Sequence, residues 1–321
     1  MKRCLLTFAL VLVIGLPLMA EDSRELKGHD VLVYSVAFSP DGKVLATAGF
    51  DNTIKLWDFP AGKEIRTLTG HAGPVYCVAF SKDGKILASS SHDKTIRLWN
   101  PVDGKLIREL KGHTDIVDSI AFHPDGKLLA SGSSDKSVRL WNPADGKEIK
   151  NLGAHGNHVY SVAFSPDGKS LASSGADAVI KLWDVAGQKE IKTIKMPDSP
   201  IVSGVMGVAF TPDGQQLVTI GQDRFVRVWD IKAGKQLKEM GPTEDDLYGL
   251  AFSPDGKKLA TSGYKGTITL WDVAAGKKLL AKKLKAFGAY CIAFTPDGKS
   301  VVTGHDQKSK HTCLITPLNN P

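Results

Sequence analysis

Apolar and polar residues alternate along this chain in short runs that are separated by Gly, Pro and Asp. Residues 33–38 read Val-Tyr-Ser-Val-Ala-Phe, and residues 53–57 read Thr-Ile-Lys-Leu-Trp. A period of two with β-branched and aromatic residues is typical of strands, and Pro-Asp-Gly between two runs indicates a tight turn. No helical periodicity follows residue 20. The pattern therefore predicts an all-β chain of short strands.

The Asp-Gly turn returns at a nearly constant interval. Its seven copies begin at Asp41, Asp83, Asp125, Asp167, Asp213, Asp255 and Asp297. Five of the six steps are 42 residues long, and the step to the fifth copy is 46. A second turn, such as residues 61–63, leads to a fourth strand in the unit. Because one such unit cannot bury its own apolar faces, seven of them predict a seven-bladed β-propeller.

Two dipeptides mark the repeats further. Gly-His stands at residues 28–29, 70–71 and 112–113. A Trp followed by Asp or Asn closes the third strand of six copies, at Trp57, Trp99, Trp141, Trp183, Trp229 and Trp271. At this period the dipeptides resemble the WD40 family over about residues 22–316, which implies a ring of four-stranded blades. The Ser-Pro-Asp-Gly-Lys turns are also similar to periplasmic TolB-type propellers, but Gly-His and Trp-Asp favour WD40.

The repeats place the propeller at residues 21–321 and predict how its ring closes. The predicted repeat bounds are about 29–70, 71–112, 113–154, 155–200, 201–242, 243–284 and 285–316. The last repeat ends at its third strand, whereas residues 24–29 resemble residues 66–71, where a fourth strand leads into Gly-His. We therefore expect residues 23–27 to complete the seventh blade and so to remove an exposed sheet edge.

The first 20 residues differ in composition from the repeats. A basic start precedes an apolar run from Cys4 to Leu16, and Ala20 stands before Glu21. This order predicts a secretory signal peptide at residues 1–20, cleaved after Ala20, and an exported protein, periplasmic or extracellular. An uncleaved anchor is the alternative, although 17 residues from Cys4 to Ala20 are short for crossing a bilayer. After cleavage we expect no stable membrane insertion.

The net charge of the chain bears on whether its partner is a nucleic acid. The chain carries a formal charge of +7, which is compatible with nucleic-acid binding. Most of the Lys residues, however, follow the two kinds of turn on one rim, where they favour a solvated surface. We therefore expect no nucleic-acid partner.

The chain after residue 20 has three cysteines, Cys77, Cys291 and Cys313. Because their number is odd and no two of them form an obvious pair, we predict buried or half-buried thiols.

Several His, Ser and Asp residues look chemical, but the resemblance implies a structural role. In WD40 blades a His, a Ser or Thr, an Asp and the Trp form a hydrogen-bonded tetrad. Matched by position, the four predicted tetrads are His29, Thr47, Asp51 and Trp57; His71, Ser89, Asp93 and Trp99; His113, Ser131, Asp135 and Trp141; and His155, Ser173, Asp177 and Trp183. Buried polar groups need such partners, and a nucleophile is not needed four times. We therefore predict no catalytic residue among them.

The resemblance also implies an interaction face opposite the Pro-Asp-Gly turns. By position, the predicted partner-binding residues are Tyr34, Phe50, Tyr76, His92, Asp118, His158, Tyr160, Met206, Asp246, Tyr248, Tyr264, Tyr290 and His305. All six Tyr of the chain are in this set, whereas all six Trp occupy the structural third-strand position. Tyr offers rigid apolar area with a polar handle, which is typical of recognition surfaces. The alternative is that a Val-Tyr step was simply copied during repeat duplication.

These observations predict a non-enzymatic, monomeric scaffold that binds a protein or peptide on the Tyr-rich face. The His and Asp residues of that face come from different blades without a metal-binding spacing, so no metal or cofactor is expected. Two other functions remain open. One is an exported propeller enzyme, a hydrolase or lactonase-like, with its chemistry at the channel mouth. The other is a carbohydrate-binding propeller, because Tyr rings also stack on sugars.

Overall fold

The chain folds into seven four-stranded antiparallel sheets. The computed structural model describes residues 23–197, 204–306 and 313–318, and the regular structure of these residues is all strand. The predicted all-β, seven-bladed propeller is thus confirmed. The predicted signal peptide at residues 1–20 lies outside the described residues. Each sheet is one blade, and blades 1 to 7 are numbered in chain order.

Each blade has four strands from the axis outward, in sequence order in blades 1 to 6, whereas blade 7 has β1 as its fourth strand. The first strands are β2 (Val33–Phe38), β6 (Val75–Phe80), β10 (Val117–Phe122), β14 (Val159–Phe164), β18 (Val205–Phe210), β22 (Leu247–Phe252) and β26 (Cys291–Phe294). The second strands are β3 (Val44–Gly49), β7 (Leu87–Ser91), β11 (Leu129–Ser133), β15 (Ser170–Gly175), β19 (Gln216–Gly221), β23 (Lys258–Gly263) and β27 (Ser300–Gly304). The third strands are β4 (Ile54–Asp58), β8 (Ile96–Trp99), β12 (Ser137–Trp141), β16 (Val179–Asp184), β20 (Val226–Asp230), β24 (Thr267–Asp272) and β28 (Cys313–Pro317). The fourth strands are β5 (Lys63–Leu68), β9 (Leu106–Leu110), β13 (Glu148–Ala154), β17 (Lys189–Lys195), β21 (Lys235–Met240), β25 (Lys277–Lys283) and β1 (Arg24–Glu25).

The first strands pack side by side and form the wall of a central channel. Each contacts the first strand of the next blade, and β26 contacts β2, so the ring is continuous. Each blade packs between two neighbouring blades, so apolar side chains on both faces of its sheet are buried. Ile54, Leu56 and Leu68 of blade 1, for example, share a core cluster with Val75 and Trp99 of blade 2.

The ring is closed as the sequence predicts. Strand β1 pairs antiparallel with β28, with Arg24 opposite Ile315 and Glu25 opposite Leu314. The Leu26 amide then donates to the Cys313 carbonyl at 3.0 Å. The Leu26 side chain is buried in a cluster with Trp57 of blade 1. The seventh blade is therefore built from two distant parts of the chain. No described helix is long and apolar enough to span a membrane.

Candidate interaction face and central channel

The predicted tetrads form continuous hydrogen-bond chains inside blades 1 to 4. In blade 1, Trp57 Nε1 lies 2.9 Å from Thr47 Oγ1, which lies 2.7 Å from His29 Nε2. His29 Nδ1 lies 2.7 Å from Asp51 Oδ2. Because the carboxylate accepts from Nδ1, the neutral ring accepts at Nε2 from the Thr47 hydroxyl, and that hydroxyl oxygen accepts from the indole. Every buried donor thus has one acceptor.

The other three tetrads repeat this geometry with Ser in place of Thr. His71, His113 and His155 contact Ser89, Ser131 and Ser173 at 2.7 Å. Burial opposes ionisation of Asp93, but hydrogen bonds from His71, Thr95 and the Ala72 amide outweigh it and lower the pKa of Asp93. The carboxylates are thus fixed as acceptors, and the chains lie between strands rather than at a ligand surface. Their arrangement serves the fold.

Blades 5 to 7 fill the same space with other groups. In blade 5, Asp223 pairs with Arg227, and both side chains are buried. In blade 6, Asp245 Oδ2 accepts from the Lys265 amide at 2.5 Å. In blade 7, His305 Nε2 lies 2.7 Å from Thr303 Oγ1, which is the counterpart of Thr47. His305 was predicted on the exposed face, and this is wrong, because the residue is fully buried and occupies the place of the missing tetrad histidine.

The first strands carry a β-bulge at the same position in blades 1 to 6. In blade 1 the register passes from Val33, opposite Gly49, directly to Ser35, opposite Ala48, so Tyr34 is the extra residue. A bulge redirects a side chain away from the regular alternation of a strand. The bulged residues are Tyr34, Tyr76, Asp118, Tyr160, Met206 and Tyr248, and Tyr290 immediately precedes β26 at the equivalent place.

These seven side chains line one cavity of about 240 Å³ at the end of the channel. We call this end the channel mouth, and the surrounding surface, where first strands begin and second strands end, the Tyr face. Residues that are about 42 positions apart in sequence therefore meet around the axis. Asp118 is thereby brought into one cavity with five Tyr.

Asp118 is the electrostatic centre of the channel mouth. Burial raises its pKa to about 7, and the hydrogen bond from Ser134, at 2.9 Å, only partly offsets this effect. The negative charges of Asp115 and Asp135 raise it further. In turn, the Asp118 charge adds to burial in raising the pKa values of Tyr34, Tyr76 and Tyr160. The three hydroxyls are therefore neutral donors near one carboxyl.

In blades 1 to 4 the residue after the bulge contacts the backbone of the next blade, and in blades 2 and 7 this position is a cysteine. Ser35 Oγ accepts from the Val78 amide at 3.2 Å, and Ser119 Oγ accepts from the Val162 amide at 3.2 Å. Cys77 and Cys291 occupy the same position in blades 2 and 7. Burial raises the pKa of Cys291 to about 12, so its thiol is unreactive at neutral pH. Among the described residues the three cysteines form no disulfide.

Seven aromatic rings form one continuous cluster on the Tyr face. Tyr34 lies between Tyr76 and Tyr290, with ring centroids 5.1 and 5.9 Å apart. Tyr290 contacts Tyr248 at 5.5 Å, and Tyr264 contacts Phe287 at 5.3 Å. The whole cluster, which we call the aromatic arc, is Phe50, Tyr76, Tyr34, Tyr290, Tyr248, Tyr264 and Phe287. It crosses blades 6, 7, 1 and 2, and its outer members Tyr264 and Phe287 are 43% and 41% exposed.

The remaining predicted face residues stand outside the arc. His92 is exposed, and His158 stacks edge-on against Tyr160 at 6.3 Å on blade 4. Asp246 binds Arg224 Nε at 2.9 Å, a pair between blades 6 and 5. The sequence argument missed Arg224 and Phe287. For Phe287 a signal existed, because it is one of the five Phe that do not recur at the repeated first-strand position.

Acidic and histidine side chains in the described part of the chain do not converge on a metal site. Within residues 23–197, 204–306 and 313–318, no group of three or more His, Cys, Asp or Glu side chains could hold a metal ion. The tetrad acids and histidines are engaged with each other inside the blades. The described residues thus form a propeller with an aromatic face around a channel mouth that contains Asp118.

Comparison with known proteins identifies the repeat. Six stretches match the family model described as "WD domain, G-beta repeat", at residues 21–58, 62–100, 104–142, 146–184, 189–230 and 234–272. The chain therefore belongs to the WD40 repeat family. The unmatched region after residue 272 contains blade 7, in which the Trp is lost.

Several curated relatives match this chain over about the length of one repeat. "Ribosome assembly protein 4" of Saccharomyces cerevisiae is 58% identical over 40 residues, which is 12% of this chain and 8% of that protein. "Probable cytosolic iron-sulfur protein assembly protein 1" of Mycosarcoma maydis is 58% identical over 31 residues, 10% and 7% of the two chains. "Notchless protein homolog" of Arabidopsis thaliana is 44% identical over 43 residues, 13% and 9%. The matches thus span less than a tenth of each relative.

Proposed function

We propose that this protein is a non-enzymatic, monomeric scaffold that binds a protein or peptide partner on the Tyr face. The observation that carries the proposal is the aromatic arc, seven rings in mutual contact on one face of the propeller. Recognition surfaces are enriched in Tyr because a ring buries much area at low conformational cost and its hydroxyl remains available for hydrogen bonds.

The position of the arc on the scaffold supports this reading. Its inner rings rest on bulges of the first strands, which are the best-buttressed strands because each contacts two neighbouring blades. The face is therefore rigid before a partner arrives, which lowers the entropic cost of binding. WD40 propellers typically bind proteins, and the membership of this chain in that family agrees with the same conclusion.

A double substitution at the outer edge of the arc tests the proposal. We expect the full chain to capture a partner from native cell extract and the double variant Tyr264→Ala, Phe287→Ala not to capture it. The purified partner should bind the wild type directly and fail to bind the variant. Both rings are exposed, so folding should be nearly unaffected. The matched control is Ile65→Ala with Ile191→Ala, two exposed apolar residues on fourth strands, at 49% and 55% exposure.

The outcomes separate the three candidate functions. Loss of the partner with the Tyr264/Phe287 variant and retention with the Ile65/Ile191 variant would support a protein-binding Tyr face. A partner that both variants retain would place recognition elsewhere. Turnover in a hydrolase panel, or saturable binding on a glycan array, would favour the enzyme or the carbohydrate-binding alternative instead.

We also propose that the protein is exported after cleavage behind Ala20. The proposal rests on the basic start and the apolar run from Cys4 to Leu16. Mass spectrometry of the protein from its native source should give a first residue of Glu21. An intact Met1 in the cytosolic fraction would contradict export.

A further inference from the structure

The channel mouth contains an acid, Asp118, and the described residues of its lining supply no basic side chain to pair with it. Among the described residues that line its cavity, Asp118 has the only carboxyl group, and none of the lining residues is Lys, Arg or His. The Ser134 hydroxyl donates to Asp118 Oδ2 at 2.9 Å. Its nearby charged neighbours Asp115 and Asp135 have the same sign. A half-buried carboxylate in such surroundings is costly unless an opposite charge approaches it.

The walls of the cavity suit an organic cation. Tyr34, Tyr76, Tyr160, Tyr248 and Tyr290 surround the mouth, and the faces of Tyr rings attract ammonium and guanidinium groups. Met206 completes the ring with a polarisable, apolar side chain. The volume of about 240 Å³ lies below that of usual ligand pockets, which hold whole drug-sized molecules. It is the size for one long side chain that enters from the Tyr face.

We propose that the channel mouth receives one basic side chain, Arg or Lys, of a peptide partner, with Asp118 as its counter-charge and the Tyr rings as its walls. This inference rests on the proposed function and specifies the chemistry of the partner. The Lys residues of the Asp-Gly turns, such as Lys43 and Lys85, do not oppose it, because they lie at the opposite end of the first strands. Arg224, on the Tyr face, is paired with Asp246.

Acid should weaken this interaction, because only the ionised carboxylate attracts the cation. The groups that face Asp118 are Tyr34 of β2, Tyr76 of β6, Tyr160 of β14, Ser134 after β11, and the two acids Asp115 and Asp135. Asp135 is itself held by His113 and Arg139. With a pKa of about 7 for Asp118, its ionised fraction falls about 30-fold between about pH 8.5 and about pH 5.5. The affinity should fall by somewhat less than about tenfold, which is the factor expected for a neutral side chain at this position.

Four blocked tripeptides test the charge requirement on the full-length protein. They are acetyl-Gly-Arg-Gly-amide, acetyl-Gly-Lys-Gly-amide and their neutral counterparts with citrulline and Gln at the centre, titrated by calorimetry or NMR. We expect the Arg and Lys peptides to saturate at about pH 8.5 and to bind about tenfold or more tightly than citrulline and Gln. Equal binding of the neutral peptides, or no saturation by any peptide, would overturn the proposal.

Two variants locate the binding. Asp118→Asn keeps the shape of the side chain and should weaken the Arg peptide about tenfold and remove its pH dependence. The matched control is Asp246→Asn, an acid of the same face that is already paired with Arg224, which should bind as the wild type does. Pronounced pH dependence that persists in Asp118→Asn would show that another group titrates and would contradict the proposed role of Asp118.

The source of the cation and the parent proposal are tested separately. Methylguanidinium alone should bind more weakly than the Arg peptide, and equal affinity would identify a free small cation rather than a partner side chain. If a partner is captured equally by the wild type and Asp118→Asn but not by the Tyr264→Ala, Phe287→Ala variant, this result would support binding on the Tyr face and contradict the proposed role of the channel mouth. A partner that none of these variants loses would reject the proposed face itself.

Discussion

Four of the seven blades place Thr at the central position of the tetrad, and in blades 1, 5 and 6 this Thr accepts from a tryptophan. Blade 1 differs from the other two by one contact, to a histidine, which allows a clean measurement. Thr47 accepts from Trp57 Nε1 at 2.9 Å and donates to His29 Nε2 at 2.7 Å. Thr261 in blade 6 also accepts from its tryptophan at 2.9 Å, but that blade has no tetrad histidine. Both Thr side chains are completely buried. The perturbation we choose is Thr→Val at each site.

The expected magnitudes follow from the groups left without a partner. A buried polar group that loses its hydrogen bond costs about 1–3 kcal/mol. Thr261→Val strands only the indole N–H of Trp271 and should lower the free energy of unfolding by about that amount. Thr47→Val strands the Trp57 N–H and His29 Nε2, so its loss should be about twice as large.

Denaturant unfolding of the two variants and the wild type measures the difference, as midpoint shifts at an unchanged slope. Thr219→Val is an internal check, because Thr219 also accepts from its tryptophan at 2.9 Å in a blade that lacks the histidine. It should match Thr261→Val. Equal losses at positions 47 and 261 would refute the reasoning, because the histidine contact would then contribute no net stability.

Two further substitutions test the channel and the ring closure. Burial raises the pKa of Asp118 from 3.8 to about 7 in the folded state, so ionisation of this carboxyl costs stability as the pH rises through this range. Asp118→Asn should therefore be more stable than the wild type at about pH 8, by at most about 4 kcal/mol. Below about pH 4 the two proteins should be equally stable. Urea unfolding at the two pH values checks this, and a constant difference would contradict it. Leu26→Ala should lower stability by about 2–5 kcal/mol because its side chain is buried between blades 7 and 1, whereas Ile65→Ala, on an exposed site, should change little in the same unfolding assay.

The repetitive parts of the fold could be predicted from the sequence because local chemistry determines them. The Asp-Gly turns and the alternating strands need only a few neighbouring residues to form. Even the ring closure was predictable, since residues 24–29 resemble the segment at 66–71 that precedes blade 2. The tetrad contacts in blades 1 to 4 follow the same repeated spacing.

The channel mouth was not predictable from the alternation alone. Strict alternation assigns each strand residue to one of the two faces of its sheet. The bulges at Tyr34 and Asp118 interrupt this alternation, and both side chains line the channel mouth instead. His305 was misplaced for a different reason: blade 7 lacks the usual histidine, and the resulting space near Thr303 is filled from within the blade. Pairs such as Arg224 and Asp246 join neighbouring blades, and no local pattern indicates them.

The strand that closes the ring also sets an order of events for synthesis and opening. Ser23 bonds to Thr316 across 293 residues, so the first part of the propeller to leave the ribosome waits for the last. Until β28 is made, β1 has no strand to pair with, and the edge of β27 is open to other chains. Closing so long a loop makes this pairing a late step of folding. In the native state β1 pairs through only two residues, so we expect it to open before the longer strands of the other blades. Hydrogen exchange at the Leu26 amide, which bonds to Cys313, should report this opening.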